Sequence, residues 1–273
     1  MTPYESQGNL YVMKSTTTLT NAPANGREWL RRWDLQQEGY MATREERFDV
    51  ILDVVATIAG TETPVVLDLC CGPGSLTARV VDRVPGATVV ALDNDPVLML
   101  LGRRAYGDLD GRLYWAEADL RSPDWTAAVE SFGPFDAVVS TTALHWLAAP
   151  TLASTYRGVA ALLTTNGVLV NGDHLHEPEL PHLEVLQKSL RRTPDDEREA
   201  WEPWWDALKQ AAADDAELAD AFVLRTARDA DHPETDGKPS YHAHVDALNA
   251  AGFAEVGTVW QHGDDRVLVA LKG

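Results

Sequence analysis

Between residues 65 and 172 the chain alternates two hydrophobic periods. Short apolar runs rich in β-branched residues predict buried strands at about 65–70, 88–93, 112–116, 135–140 and 167–172. Between them apolar residues recur at helical spacing, which predicts helices over about 75–83, 96–105, 123–130 and 150–163. Asp95-Pro96 opens one of these helices with a capping carboxylate and a proline at the first helical position. This alternation implies an α/β fold with a doubly wound parallel sheet and right-handed crossovers.

The flanks follow other patterns. Trp29, Leu30 and Trp33, then Phe48, Ile51, Leu52, Val55 and Ile58, predict helices at about 26–39 and 43–59, the second opened by a Thr43/Glu46 capping box. Residues 1–25 are rich in Thr, Ser, Asn and Pro without periodicity and are expected to be disordered. After residue 173 the alternation stops, and residues 180–230 read as helical throughout. Thr193-Pro194-Asp195-Asp196 starts one helix there, with Trp201, Trp204, Trp205 and Leu208 as its aromatic stripe. Residues 229–239 read as a loop, 241–251 as a last helix begun by Ser240, and 254–260 with 266–271 as an antiparallel hairpin. The chain therefore divides into a tail (1–25), N-terminal helices (26–62), a core (63–179), a helical insertion (180–239) and a closing segment (240–273).

The first strand, Val65 to Leu69, stops at Cys70-Cys71-Gly72-Pro73-Gly74, where glycines permit a tight turn and close backbone approach to a ligand. The second strand ends in Asp93, placed to accept hydrogen bonds from a ribose diol. The third glycine of a dinucleotide fingerprint is missing, and Asp68 stands four residues before Gly72. The order Asp68-x-x-x-Gly72-x-Gly74, Ala91-Leu-Asp93, Ala118-Asp119-Leu120 and Phe135-Asp-Ala-Val-Val-Ser140 resembles the motifs of the class I S-adenosylmethionine-dependent methyltransferases. The resemblance covers roughly residues 40–173 and 242–271. It implies a seven-stranded sheet, mostly parallel with an antiparallel last strand, and a helical lid after strand 5. It also implies S-adenosyl-L-methionine as cofactor, with S-adenosyl-L-homocysteine as product. Tyr40, Asp68, Cys70, Gly72, Gly74, Asp93, Asn94, Asp119, Leu120, Ser140 and Thr141 become candidate cofactor contacts. Asp93 is expected to take both ribose hydroxyls, and Asp119 with Leu120 to read adenine. One departure stands out, because the family usually has glycine where this chain has Cys70.

Composition narrows the function. The 273 residues suffice for one large α/β domain or a core with a small lid. A net charge of −19, from 42 acids and 23 bases, repels nucleic acid and leaves a small molecule as the expected substrate. By itself that acidic field would tolerate a cationic amine better than a polyanion. The two adjacent cysteines form no disulfide framework, and neither a membrane-length apolar stretch nor a signal peptide is apparent, so a cytoplasmic protein without membrane contact is expected. Nothing in the pattern speaks to oligomeric state.

Methyl transfer from a sulfonium needs donor and acceptor held in line, and needs a base only where the acceptor must lose a proton. His145, just past the fourth strand, is the candidate base; a packing or cofactor-contacting histidine is the competing reading. Trp146 either floors the pocket or fills the core. Trp33, Arg44, His174, Trp201 and Trp205 complete the candidate substrate pocket, and Arg44 either meets a carboxylate of a ligand or pairs with Glu28 or Glu45. His174 and His176, with Asp173, have weak metal-site spacing, and no metal is expected. The leading reading is a methyltransferase acting on an oxygen or nitrogen of a small molecule, in specialised metabolism. The alternatives are non-methylating chemistry on the same fold (cyclisation, elimination or donor modification) and cofactor binding without turnover.

Overall fold

The computed structural model describes residues 25–58, 62–192, 198–231 and 238–273. The expected disordered tail and the Thr193-Pro194-Asp195-Asp196 helix start lie outside them, apart from Asn25, which caps the first helix by accepting the Arg27 N–H. Seven strands form one sheet: β1 (Val65–Leu69), β2 (Thr88–Asp93), β3 (Leu113–Glu117), β4 (Phe135–Thr141), β5 (Leu163–His174), β6 (Glu255–His262) and β7 (Asp265–Leu271), in the order β3-β2-β1-β4-β5-β7-β6. β7 runs antiparallel to both its neighbours, and β1 to β5 are parallel. Successive strand residues point to opposite faces, and both faces are covered. Leu67, Leu69, Val90, Val138 and Leu169 pack under α5 (Ala149–Leu162) and α9 (Tyr241–Ala250). Val66, Val89, Ala137, Val139 and Val170 pack under α2 (Arg44–Ile58) and α3 (Ser75–Arg83). That two-sided burial is why these strands read as continuous apolar runs.

A third apolar cluster lies outside the sheet. Trp29 and Trp33 of α1 (Gly26–Tyr40) and Leu98 and Leu101 of α4 (Pro96–Tyr106) meet Trp204 and Leu208 of α7 (Trp201–Ala211) and Leu218 of α8 (Ala216–Asp231). Strand order reverses between β1 and β4, so a crevice opens at their C-terminal ends, the position where doubly wound sheets bind ligands.

Local expectations were corrected in three places. Residues 123–130 form 3-10 turns (Trp125–Ala128 and Glu130–Phe132) instead of an α-helix. The segment is short, bounded by Pro123 and Gly133-Pro134, and Trp125 is pressed onto Gly158, where an added Cβ would sit 2.8 Å from the indole. Thr43 and Glu46 form no capping box: the Thr43 hydroxyl donates to Asp265 Oδ2 at 2.8 Å, and Glu46 pairs with Arg192. The 180–230 region is three helices, α6 (Pro181–Ser189), α7 and α8, with a 3-10 turn at Ala212–Asp214.

Arg47 ties the N-terminal helices to this frame. It is fully buried, donates to Asp265 Oδ1 at 2.8 Å, and reaches Thr142 Oγ1 and the Met41 sulfur. Its stem passes over Gly172 of β5, where an added Cβ would lie 2.9 Å from the Arg47 Cδ. Arg47→Leu leaves a buried carboxylate without its cation and should cost about 3–5 kcal/mol in urea denaturation, with most of the loss recovered in Arg47→Leu/Asp265→Leu. A single variant as stable as the native protein would contradict this.

Candidate functional site

The turn after β1 is held in the left-handed region, at φ +60° for Cys70, +55° for Gly72 and +87° for Gly74. This backbone explains the family's preference for glycine where Cys70 stands, since a side chain costs on the order of 1 kcal/mol there. An added Cβ on Gly72 would meet only Leu98 Cδ1, at 3.9 Å, so the turn has open space above it. Gly74 serves packing instead: its Cβ would sit 2.9 Å from the Trp115 ring. The Gly72 N–H donates to Asp93 Oδ2 at 2.7 Å, and Asp93 Oδ1 accepts the N–H groups of Asn94 and Asp95 at 2.7 and 2.8 Å. Acceptor capacity for a ribose therefore remains chiefly on Oδ2. Burial raises the Asp93 carboxyl above its usual range, against the pull of these backbone donors.

Asp68 lies beneath the turn rather than on the cavity. It accepts the Thr77 hydroxyl, and its Oδ1 is buried with no partner. Burial, with the Asp93 charge adding to it, raises its carboxyl to about 7. Two buried acids at one turn suit a ligand that brings positive charge, as a sulfonium nucleoside does. Burial and the neighbouring acids, Asp93 and then Asp68, push both the Cys70 and Cys71 thiols well above their ordinary range, so neither is a ready nucleophile.

A cavity of about 930 Å³ opens beside the turn, room for a nucleoside donor and a small acceptor together. Of the expected cofactor contacts, Tyr40, Cys70, Gly72, Asp93 and Thr141 line it. The others do not. Ser140 is buried and ties β4 to β1 by donating to the Leu69 carbonyl at 2.8 Å. Asn94 accepts from Arg228, Leu120 belongs to the core, and Asp119 is drawn into a two-pronged pair with Arg121 at 2.6 and 2.8 Å. Of the expected substrate residues, Trp33, Arg44, His145, Trp146, His174 and Trp201 line the cavity. Trp205 is buried among Trp204, Phe222 and the Arg225 guanidinium instead. Arg44 pairs with Glu45 at 3.3 Å as one reading expected, but it is buried, with Asp34 closer at 2.8 Å and its guanidinium over the Phe48 ring.

His145 sits on a 3-10 turn, Leu144–Trp146, just past β4. Its Nδ1 lies 2.8 and 2.9 Å from the two carboxylate oxygens of Asp173, and its backbone N–H donates to the same group at 3.3 Å. Asp173 is fully buried near the end of β5 and also accepts the His174 N–H at 2.8 Å. Burial alone would raise its carboxyl, but His145, Arg47 and His244 hold it below the usual value. The sequence reading had set Asp173 beside a weak metal motif and missed this partnership. The parallel register Thr141↔Gly172 creates it, by bringing the turn just beyond β4 against the last residues of β5. His174 and His176 turn instead toward Asp264, at 3.3 and 3.6 Å, and Arg191 holds that carboxylate from the other side. Among the described residues no group of three or more His, Cys, Asp or Glu could hold a metal, and no helix is long and apolar enough to cross a membrane. Sequence reasoning also missed Lys188, Arg191 and Lys238 on the cavity wall.

Residues 66–167 match the family model described as a methyltransferase domain. Over this stretch, which runs from β1 into β5, the chain is similar to methyltransferase domains. Over 115 residues the chain is 33% identical to a trans-aconitate 2-methyltransferase of Azoarcus sp., covering 42% of this chain and 41% of that protein. A trans-aconitate 2-methyltransferase of Streptomyces coelicolor is 33% identical over 141 residues, covering 50% and 43%. The matched stretch spans less than half the length of either relative. Solved structures share the fold. The carbon methyltransferase CurJ superposes with a TM-score of 0.54 at 17% identity, covering 88% of this chain and 57% of that one. An O-methyltransferase family protein of Burkholderia thailandensis gives 0.52 at 18%, covering 88% and 63%.

Buried Asp68 makes stability depend on pH. Its carboxyl ionises near 3.8 in an unfolded chain and near 7 in the native one, so its contribution is complete below about pH 4 and is lost as pH rises through about 7. Asp68→Asn cannot ionise and should gain stability over the native sequence between about pH 5 and pH 8, read by thermal unfolding. An unchanged difference across that range would contradict the assignment.

Proposed function

We propose that this protein is an S-adenosylmethionine-dependent methyltransferase that modifies an oxygen or nitrogen of a small acidic molecule. The observation that carries the reading is Asp93, fixed by three backbone donors at the rim of a cavity that opens where the strand order reverses. Asp93 would hold the ribose, the backbone at Cys70 to Gly72 would pass beneath the methionine end, and Leu98 would pack against the nucleoside. S-adenosylmethionine supplies a methyl carbon activated by its positively charged sulfur.

The acidic acceptor follows from the walls. Lys188, Arg191, Lys238 and Arg44 line the cavity, as do His174 and His176, whereas Asp93 is its one lining carboxylate among the described residues. Lys188 and Arg191 each also hold an acid, Glu184 and Asp264, which fixes their heads in place. The cavity thus departs from the acidic field of the whole chain, and the naming of the relatives for trans-aconitate agrees with it. Helices α1 and α7 serve as the cover. Tyr40 Oη accepts the Trp201 backbone N–H at 2.9 Å, Trp33 packs against Trp201 with tilted rings whose centroids are 5.6 Å apart, and the Lys238 ammonium lies 4.3 Å over the Trp146 ring.

Incubation with S-adenosylmethionine and a panel of small carboxylic, hydroxy and amino acids should release S-adenosylhomocysteine with acidic acceptors and little with cationic amines. Asp93→Ala should weaken cofactor binding by about 1.5–3 kcal/mol in calorimetry, the value of a hydrogen bond to a charged group. A native protein that binds no S-adenosylmethionine would end this reading, and unchanged affinity in the variant would end the role of Asp93.

A further inference from the structure

Large aromatic rings ordinarily serve burial, and the tryptophans that join α1 to α4 and α7 follow that rule. Three rings do not. Trp146, Tyr40 and Trp201 keep 63, 56 and 41% of their surface exposed, and all three line the cavity. Among the described residues Tyr114, on β3, is the one other Phe, Tyr or Trp exposed to that degree. Open aromatic surface is therefore gathered at this site, and a gathered apolar surface marks a place where something binds.

We propose that the acceptor is an aromatic carboxylic acid, its ring held by Tyr40, Trp146 and Trp201 and its carboxylate by Lys188, Arg191 and Lys238. The inference rests on the methyltransferase reading and narrows its small acidic molecule to one with a flat, aromatic body. Four observations converge. The rings are held in place before any ligand arrives. The Trp201 backbone N–H donates to Tyr40 Oη at 2.9 Å, and the Trp201 indole is backed by Trp33 and Trp205, with centroids 5.6 and 5.7 Å away. A preset ring surface gives contact area at little cost in side-chain entropy.

Cations also stand against rings on this wall. The Lys238 ammonium lies 4.3 Å over the Trp146 ring, and the Arg44 guanidinium lies 4.5 Å over Phe48; all four residues line the cavity. A ligand with an arene and a carboxylate meets both parts of such a wall, whereas an aliphatic polyacid uses the cations and leaves the rings uncovered. The rings lie, moreover, away from the donor's end. That end is the glycine turn with Asp93 and Leu98, while Tyr40 ends α1, Trp201 begins α7 and Trp146 follows His145 in the turn past β4. Finally, of the six residues in the proposal the methyltransferase family model, at 66–167, covers Trp146 alone. The stretch shared with the family leaves the body of the acceptor to the surrounding helices.

Calorimetry on the full chain saturated with S-adenosylhomocysteine separates the two parts of the acceptor. The probes are ortho-, meta- and para-hydroxybenzoate, the ring-saturated hydroxycyclohexanecarboxylate matching each, phenol, and trans-aconitate. At least one hydroxybenzoate should bind about tenfold tighter than its saturated counterpart and than trans-aconitate, a factor within reach of good ring–ring contact. Phenol, without the acid, should bind more weakly than that hydroxybenzoate. Trp201→Leu and Trp146→Leu keep an apolar side chain and lose the ring. Each should remove most of the aromatic preference and change the saturated acid's affinity little, and Trp201→Phe should restore the preference. Native affinity for S-adenosylhomocysteine shows that a variant is folded, and the native affinities decide if one is not. Equal affinities within every matched pair, phenol as tight as the acids, or trans-aconitate tightest would overturn the proposal. So would folded variants that weaken aromatic and saturated acids alike. Each of these results leaves the methyltransferase reading standing; a native protein that binds neither S-adenosylmethionine nor S-adenosylhomocysteine would end that reading and the proposal with it.

Discussion

The Arg47 guanidinium lies at full burial between helix α2 and the sheet, and most of the site is arranged around it. Taking a guanidinium out of water costs several kcal/mol unless its donors are met with good geometry. Here Nη1 and Nη2 are met from three directions, by Asp265 at the start of β7, Thr142 just past β4 and Met41 at the end of α1, while the buried Nε has no partner among the described residues. Asp265 is itself held by Thr43, so the link between the two N-terminal helices is tied into the same node. Gly172 of β5 provides the passage for the Arg47 stem. Met41 and Thr142 line the cavity, and Thr43 and Asp265 adjoin Arg44 and His174, which do, so the partners of this ion also frame the crevice.

The same charge reaches the wall that carries His145. Arg47 helps hold the Asp173 carboxyl low despite its burial, and Asp173 in turn fixes His145. Fold stability and the poise of the candidate base are thus coupled through one residue. The opposite arrangement holds at the glycine turn, where Asp68 and Asp93 are buried acids that form no ion pair among the described residues and both are raised. One side of the cavity is short of positive charge and the other is built around it. A cationic donor on the first side and an acidic acceptor on the second would complement both.

What the sequence made legible was local. Strands β1 and β2, the turn between Cys70 and Gly74, and Asp93 could be read because each depends on residues within one strand–turn–helix unit, whose period and glycines are visible in the chain. His145 could be placed at the ligand edge because it follows a strand end. Its partner could not, since Asp173 is 28 residues away and meets it only through the β4–β5 register. Arg47 was hidden for a related reason, because a charged residue on a helix ordinarily marks a solvated face. Asp119 has the motif position expected of an adenine contact, but its pairing with Arg121, two residues on, is a side-chain contact that the motif does not announce. The tryptophan stripe of α7 was visible as a stripe. That Trp201 faces the cavity while Trp204 and Trp205 fill the cluster with α1 and α4 is decided by packing between elements far apart in sequence.

The account's central claim is that one cavity holds the methyl donor at the glycine turn and presents its sulfur to the wall that carries His145. A crystal structure of the protein with S-adenosylhomocysteine bound tests it most directly. The account predicts the ribose on Asp93, the thioether sulfur beside Cys70 and turned toward the space in front of His145, and the side chains of Lys188, Arg191 and Lys238 around the remaining volume. A nucleoside seated away from Asp93, or a sulfur facing away from His145, would contradict it.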